Sequence, residues 1–273
     1  PSAGMPVGPP PWQAHGMSLL LTERRGRVAV LTFNDPDRRN AISDEMNVAL
    51  DEAFDDLEAD EDIGAVVLIG AGRAFCAGAV LDDLLGAGES EERSSGDLPS
   101  IYRGFLRVAH SPLATVAAVN GAAVGAGMNM LLACDLVVAG RSAKFDTRFL
   151  SIGLHPGGGH IWRLRHLTDL GTTRAMVLFQ QVLDGEEAVR RGLAWECVDD
   201  ETLLDAAVAY AELAAAHPRD LVASTKATIS AGLAITGSDE AVQLEIAPQI
   251  HSMHQPAFLE MIRALKERIS SKD

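Results

Sequence analysis

Two tight turns built from small residues each follow an apolar run. Arg73-Ala74-Phe75-Cys76-Ala77-Gly78-Ala79 comes after the run at 65–70, and Val124-Gly125-Ala126-Gly127 comes after the run at 114–119. Small residues let a backbone N–H approach a bound group with no side chain in between. Two such N–H groups aimed at one point stabilise an oxygen atom that gains negative charge during a reaction. The same turns also suit close backbone packing, so the wider pattern has to decide between the two roles. Cys76 lies inside the first turn, but no histidine neighbours it in sequence to activate a thiolate. Together with Cys134 and Cys197 it forms a sparse, odd set of cysteines that reads as reduced thiols, packed as small hydrophobes.

The elements that must carry these turns are legible from periodicity. Runs at 19–22 and 28–33, split by Glu23-Arg24-Arg25-Gly26, predict a hairpin. Asn34-Asp35-Pro36-Asp37 breaks the chain. Ser43 is placed as an N-cap, with Met46, Leu50, Ala53, Phe54 and Leu57 at helical spacing behind it. Strands are predicted at 65–70, 114–119 and 136–139, and helices at 102–108, 127–133, 171–180 and 186–192. The stretch 86–99 is small, charged and serine-rich and reads as a loop. Beyond residue 200 strand-forming runs disappear and alanine-rich helical periodicity continues through 203–217, 221–232, 240–253 and 257–269. The predicted organisation is a Pro/Gly-rich tail at 1–16, an α/β core at 17–199 and a C-terminal helical region at 200–273, a type of appendix that often packs on a neighbouring subunit.

Composition narrows the class. An apolar fraction of 47% permits a sizeable core. The formal charge of -15, from 23 Lys plus Arg against 38 Asp plus Glu, argues against nucleic acid or an anionic membrane as the main partner. No apolar run approaches the ~18 residues of a membrane span. The tail lacks a basic segment followed by an apolar one, so it does not read as a secretory signal. With reduced thiols, these features point to the cytoplasm, and no cluster suggests a metal site. Gly125-Ala126-Gly127 superficially matches the opening of a dinucleotide fingerprint, but Met130 stands where the third glycine belongs and the following helix is too short for a crossover.

The collinear motifs Asn34-Asp35-Pro36-Asp37-Arg38-Arg39-Asn40-Ala41, Gly72 to Ala79, Val119-Asn120-Gly121 through Gly127, Ala133-Cys134-Asp135-Leu136 and Ile152-Gly153-Leu154-His155-Pro156-Gly157-Gly158-Gly159 resemble the crotonase (enoyl-CoA hydratase/isomerase) superfamily. The likeness is strong over about 18–199 and weak over the helical tail. It implies an α/β spiral of ββα units with a C-terminal α-helical trimerisation region, assembled as a homotrimer or as a hexamer of two trimers. It also implies a lyase or isomerase of fatty acid metabolism acting on CoA thioesters, with CoA as part of the substrate and no separate cofactor. By motif position, the oxyanion donors are the N–H groups of Ala79 and Ala126. Arg38, Arg39 and Ala41 match the segment along the CoA nucleotide, and Ala74, Ala77 and Leu81 match the stretch beside pantetheine and thioester. Lys266, with Arg268, is placed to reach the 3′-phosphate of a neighbouring subunit's CoA.

The chain departs from the family where acid–base chemistry is expected. The two hydratase glutamates correspond to Asn129 and Phe149, and neither exchanges protons near neutral pH. General acid–base catalysis is typically worth about 10²- to 10⁴-fold per group, so efficient hydration is not expected. An acyl-CoA-binding pseudoenzyme is the alternative. Val80 stands where an aspartate is common. Among the remaining candidates, His155 lies near where other branches place a catalytic acid and titrates in the useful range. His160, at a predicted helix start, reads more readily as structural. Asp82, Asp83 and Asp146 read as solvated or without a clear role.

Overall fold

The computed structural model describes residues 18–81, 84–86 and 100–270. The tail at 1–16, most of the loop at 86–99, and Asp82 and Asp83 lie outside the described residues. In chain order the strands are β1 Leu20–Arg25, β2 Val28–Phe33, β3 Ala65–Gly70, β4 Ala74–Cys76, β5 Ala114–Val119, β6 Ala122–Val124, β7 Leu136–Gly140, β8 Lys144–Asp146, β9 Leu183–Asp184 and β10 Glu196–Val198. The helices are α1 Asp44–Ala59, α2 Arg103–His110, α3 Ala126–Leu132, α4 His160–Leu167, α5 Leu170–Phe179, α6 Gly185–Arg190, α7 Leu203–Ala215, α8 Arg219–Gly232, α9 Ser238–Met253 and α10 Pro256–Ser270.

After the β1–β2 hairpin, successive turns of the spiral send one strand to each of two sheets. The larger sheet has the order β1-β2-β3-β5-β7-β10 and the smaller one β4-β6-β8-β9. β3 is thus followed by β4, β5 by β6 and β7 by β8, each pair crossing from the large sheet to the small one before a helix returns the chain. The interior strands of the large sheet read as continuous apolar runs because both faces are buried. Leu31, Phe33, Val66, Leu68, Ala117 and Val119 point into the core shared with the small sheet. Val28, Val30, Ala65, Val67, Val116 and Ala118 point the other way, onto Leu203, Ala207, Val208, Ala211 and Ala215 of α7. This alternation is the two-residue period of a strand. The first helix of the C-terminal region therefore covers its own core, whereas α8, α9 and α10 carry no buried residue among the described ones.

Ser43 caps α1 as its sequence position predicts, its hydroxyl accepting from the Met46 N–H at 3.2 Å. The hairpin turn falls later than the polar residues suggested, because β1 continues through Glu23, Arg24 and Arg25. β1 is an edge strand, so these charges stay in water, and Arg24 and Arg25 reach Asp60 and Asp205. The short strands β4, β6 and β8 span three residues each and give no usable periodicity.

Candidate active site

The site begins with a property of the small sheet. β4 and β6 are parallel neighbours, with Ala74 opposite Ala122 and Cys76 opposite Ala123. Parallel strands leave their sheet at the same end, so the turn after β4 and the turn after β6 sit side by side. Their contact is too close for side chains. A Cβ on Gly78, whose φ is +99°, would lie 2.8 Å from the Val124 carbonyl oxygen and 3.7 Å from the Ala126 nitrogen. A Cβ on Gly127 would lie 2.1 Å from the Cys76 carbonyl oxygen. These two glycines are what allow the turns to meet.

The surrounding backbone groups are paired and the two in question are not. On either side of Ala79, the Ile42 N–H donates to the Gly78 carbonyl at 2.7 Å and the Val80 N–H to the Ile42 carbonyl at 3.3 Å. Beside Ala126, the Gly125 N–H donates to the Asp146 carbonyl at 2.9 Å and the Asn129 N–H to the Gly125 carbonyl at 3.1 Å. Among the described residues, neither the Ala79 N–H nor the Ala126 N–H has a hydrogen-bond partner. Ala126 is the first residue of α3, where helix geometry leaves a donor free. Both alanines are half-buried, and neither has a positive φ. A methyl at these positions therefore leaves the amide in an ordinary conformation.

The segment matched to the CoA nucleotide runs beside the first turn. The Ala77 N–H donates to the Arg39 carbonyl at 3.0 Å, and Ile42 bridges to Ala79. Asn40 locks this arrangement from a fully buried position at φ +57°. Its side-chain amide donates to the Ala74 and Ala71 carbonyls at 2.7 and 2.9 Å, while its oxygen accepts from the Asp35 N–H at 2.9 Å. Arg38 and Arg39 are exposed, with the Arg38 guanidinium resting on Asp35 at 2.7 Å, and Ala41 and Ala77 are half-buried. Leu81 is largely exposed, whereas Ala74 is buried in β4. Lys266 is exposed on α10, which packs against α9.

The two positions that lack carboxylates do come together, and a third residue joins them. Asn129 lies on α3, one turn beyond Ala126, and is 3% exposed. Its amide nitrogen donates to the Gly157 carbonyl at 3.1 Å, and its oxygen lies 2.8 Å from Nδ1 of His160. His160 opens α4 and is 1% exposed. Its ring meets the Phe149 ring edge-on, 4.9 Å between centroids at 68°. Burial, reinforced by the nearby Arg163 charge, lowers the His160 pKa to about 4, so the imidazole is neutral. Nε2 of His160 is buried and has no hydrogen-bond partner among the described residues. The buried residue beside Asn129 is thus His160, not His155. His155 is exposed, with Nδ1 2.8 Å from the carbonyl of its own neighbour Pro156. The sequence signal for His160 was its place directly after Gly157-Gly158-Gly159, a loop able to run close against α3.

Two other residues are resolved by their surroundings. Asp146 is buried because Arg148 covers its carboxylate, with one contact at 2.8 Å. Cys76 is fully buried, and burial pushes its thiol up to about 12. It is therefore held as the thiol rather than the nucleophilic thiolate.

Comparison with known proteins agrees with this architecture. The Enoyl-CoA hydratase/isomerase family model matches residues 23–271. A probable enoyl-CoA hydratase of Mycobacterium tuberculosis is 45% identical over 246 residues, covering 88% of this chain and 94% of the relative. The 1,2-epoxyphenylacetyl-CoA isomerase of Escherichia coli is 37% identical over 210 residues, covering 74% and 78%. The crystal structure of an enoyl-CoA hydratase from Polaromonas superimposes with a TM-score of 0.84 at 26% identity, covering 91% of this chain and 97% of the other. The sheet order, the paired turns and these matches together establish that the chain belongs to the enoyl-CoA hydratase/isomerase family and has the crotonase fold.

Proposed function

We propose that the chain binds an acyl-CoA thioester and polarises its carbonyl with the N–H groups of Ala79 and Ala126. The observation that carries this reading is the contact between the two turns, each of which holds a half-buried amide with no partner among the described residues. Forming an enolate from a thioester places negative charge on the carbonyl oxygen. Fixed donors meet that charge without reorganising, and losing one such donor typically costs about 3 kcal/mol. Arg38 and Arg39 are exposed guanidiniums suited to phosphate oxygens, Ala41 follows them in the same segment, Ala77 bonds that segment from within the turn, and Leu81 follows the turn in sequence. Ala74 contributes through its backbone. The chemistry needs no cofactor besides the CoA carried by the substrate.

The assembly we propose is a homotrimer, or a hexamer of two trimers. Val242, Ile246, Ile250 and Met253 on α9 and Leu259, Ile262, Leu265 and Ile269 on α10 are apolar, exposed and at helical spacing. Neighbouring copies would cover them, and that assembly would bring Lys266 toward an adjacent CoA. No helix among the described residues is long and apolar enough to cross a membrane. The cytoplasmic placement rests on three cysteines that form no disulfide.

The reaction we propose is isomerase- or lyase-type chemistry through the enolate, with efficient hydration lost because Asn129 and Phe149 cannot exchange protons. The same two residues favour a second reading, a protein that holds an acyl-CoA without converting it. Calorimetry with butyryl-, crotonyl- and longer acyl-CoAs, combined with product analysis, separates the readings. Binding with turnover of at least one thioester supports the enzyme. Binding with no product from any of them supports the holder, and no binding refutes both.

A further inference from the structure

The His160–Asn129 pair has an orientation fixed by its surroundings. The Gly157 carbonyl is only an acceptor, so the Asn129 side chain must turn its nitrogen toward it. That leaves the Asn129 oxygen facing His160, and Nδ1 of His160 must therefore carry the proton it shares at 2.8 Å. The other ring nitrogen, Nε2, is then a bare lone pair. It is buried, and no described group donates to it. Buried acceptors are rarely left this way in folded proteins, and an unpaired one at a functional site calls for a partner. With an imidazole pKa of about 4, set by burial and by the charge of the nearby Arg163, whose guanidinium donates to the Gly158 carbonyl at 2.7 Å, the lone pair stays unprotonated at neutral pH.

The position of this lone pair identifies the kind of partner. Asn129 lies three residues beyond Ala126 on α3, about 5 Å along the helix axis. On the thioester reading, that places the pair within one helical turn of the carbonyl site. Phe149 closes one side of the imidazole with an apolar ring. Resting on the thioester reading above, we infer that Nε2 of His160 is a buried acceptor for an O–H group close to the acyl carbons, either a hydroxyl carried by the acyl chain or a water held beside it.

Two measurements on the full chain test this. The first is the ¹⁵N resonance of His160 Nε2, assigned by its absence in His160→Asn, recorded with butyryl-CoA and with 3-hydroxybutyryl-CoA. The second is the calorimetric affinity of both thioesters for the wild type and for His160→Asn, whose amide can still donate to Asn129 but has no atom at Nε2. If the acyl hydroxyl is the donor, Nε2 moves upfield only with 3-hydroxybutyryl-CoA. That thioester then binds the wild type about tenfold more tightly than butyryl-CoA, and the preference vanishes in the variant. If water is the donor, Nε2 moves upfield with both thioesters and the affinities match. Either result supports the inference. Nε2 unshifted in both complexes overturns it, and so does a hydroxyl preference that survives in His160→Asn. Those outcomes differ from failure of the thioester reading, in which neither CoA compound binds. The wild-type resonance keeps the test decisive if the variant folds poorly.

Discussion

Gly127→Ala probes the junction of the two turns with a single methyl. The new Cβ would lie 2.1 Å from the Cys76 carbonyl oxygen, where real contacts do not fall below 3.0 Å. The turns must therefore part by close to 1 Å. Overpacking of this kind costs about 1–3 kcal/mol, and alanine's helix propensity returns about 1 kcal/mol of it, so the protein stays folded. The effect on thioester binding is larger in proportion. A net hydrogen bond contributes about 1 kcal/mol, so two converging amides should favour a thioester over the matching thioether, which lacks the carbonyl, by roughly 30-fold. Parting the turns removes at least one bond, and the preference should fall to about 5-fold or less. Calorimetric titration with butyryl-CoA and butyl-CoA, alongside thermal unfolding, measures both quantities. A folded Gly127→Ala protein that keeps the full preference would refute the claim that this contact sets the two amides.

Other perturbations have equally definite outcomes. Asn40→Ala removes three hydrogen bonds from a buried site and leaves alanine at a positive φ. It should cost about 2–4 kcal/mol in chemical denaturation and weaken CoA binding with it. His160 has a folded-state pKa of about 4 against an ordinary value of 6.5. The unfolded chain therefore binds its proton first, and stability should fall by roughly 3 kcal/mol as pH drops from 6.5 to 4. Denaturation midpoints across that range should flatten in His160→Asn, and an unchanged slope would contradict the buried neutral imidazole. Crotonyl-CoA hydration should run about 10⁴-fold or more below that of enzymes with both carboxylates. Asn129→Glu combined with Phe149→Glu should raise it measurably in a spectrophotometric assay.

Much of the frame was readable because it follows from local rules. The strands buried on both faces announce themselves as apolar runs, and Ser43 with its helical repeat placed α1. The turn motifs at Ala79 and Ala126 were visible as small residues after strands. Their contact was not visible, since it depends on the parallel pairing of two three-residue strands. The extension of β1 is not legible in the sequence because charges on an edge strand mimic a turn. The role of His160 is hidden for a related reason. A histidine's importance here comes from what an Asn on another helix and a glycine carbonyl leave it free to do, and sequence spacing holds no record of that. Asn129 and Phe149 looked like isolated losses, whereas they share a neighbour.

In the proposed site the Ala79 and Ala126 amides meet on one carbonyl oxygen. Isotope-edited infrared difference spectroscopy of bound [1-¹³C]butyryl-CoA reads that bond itself. Two converging amides should shift the thioester C=O stretch to lower frequency than for the free compound in water, with the shift reduced in Gly127→Ala. A bound carbonyl vibrating at or above its free frequency would contradict it.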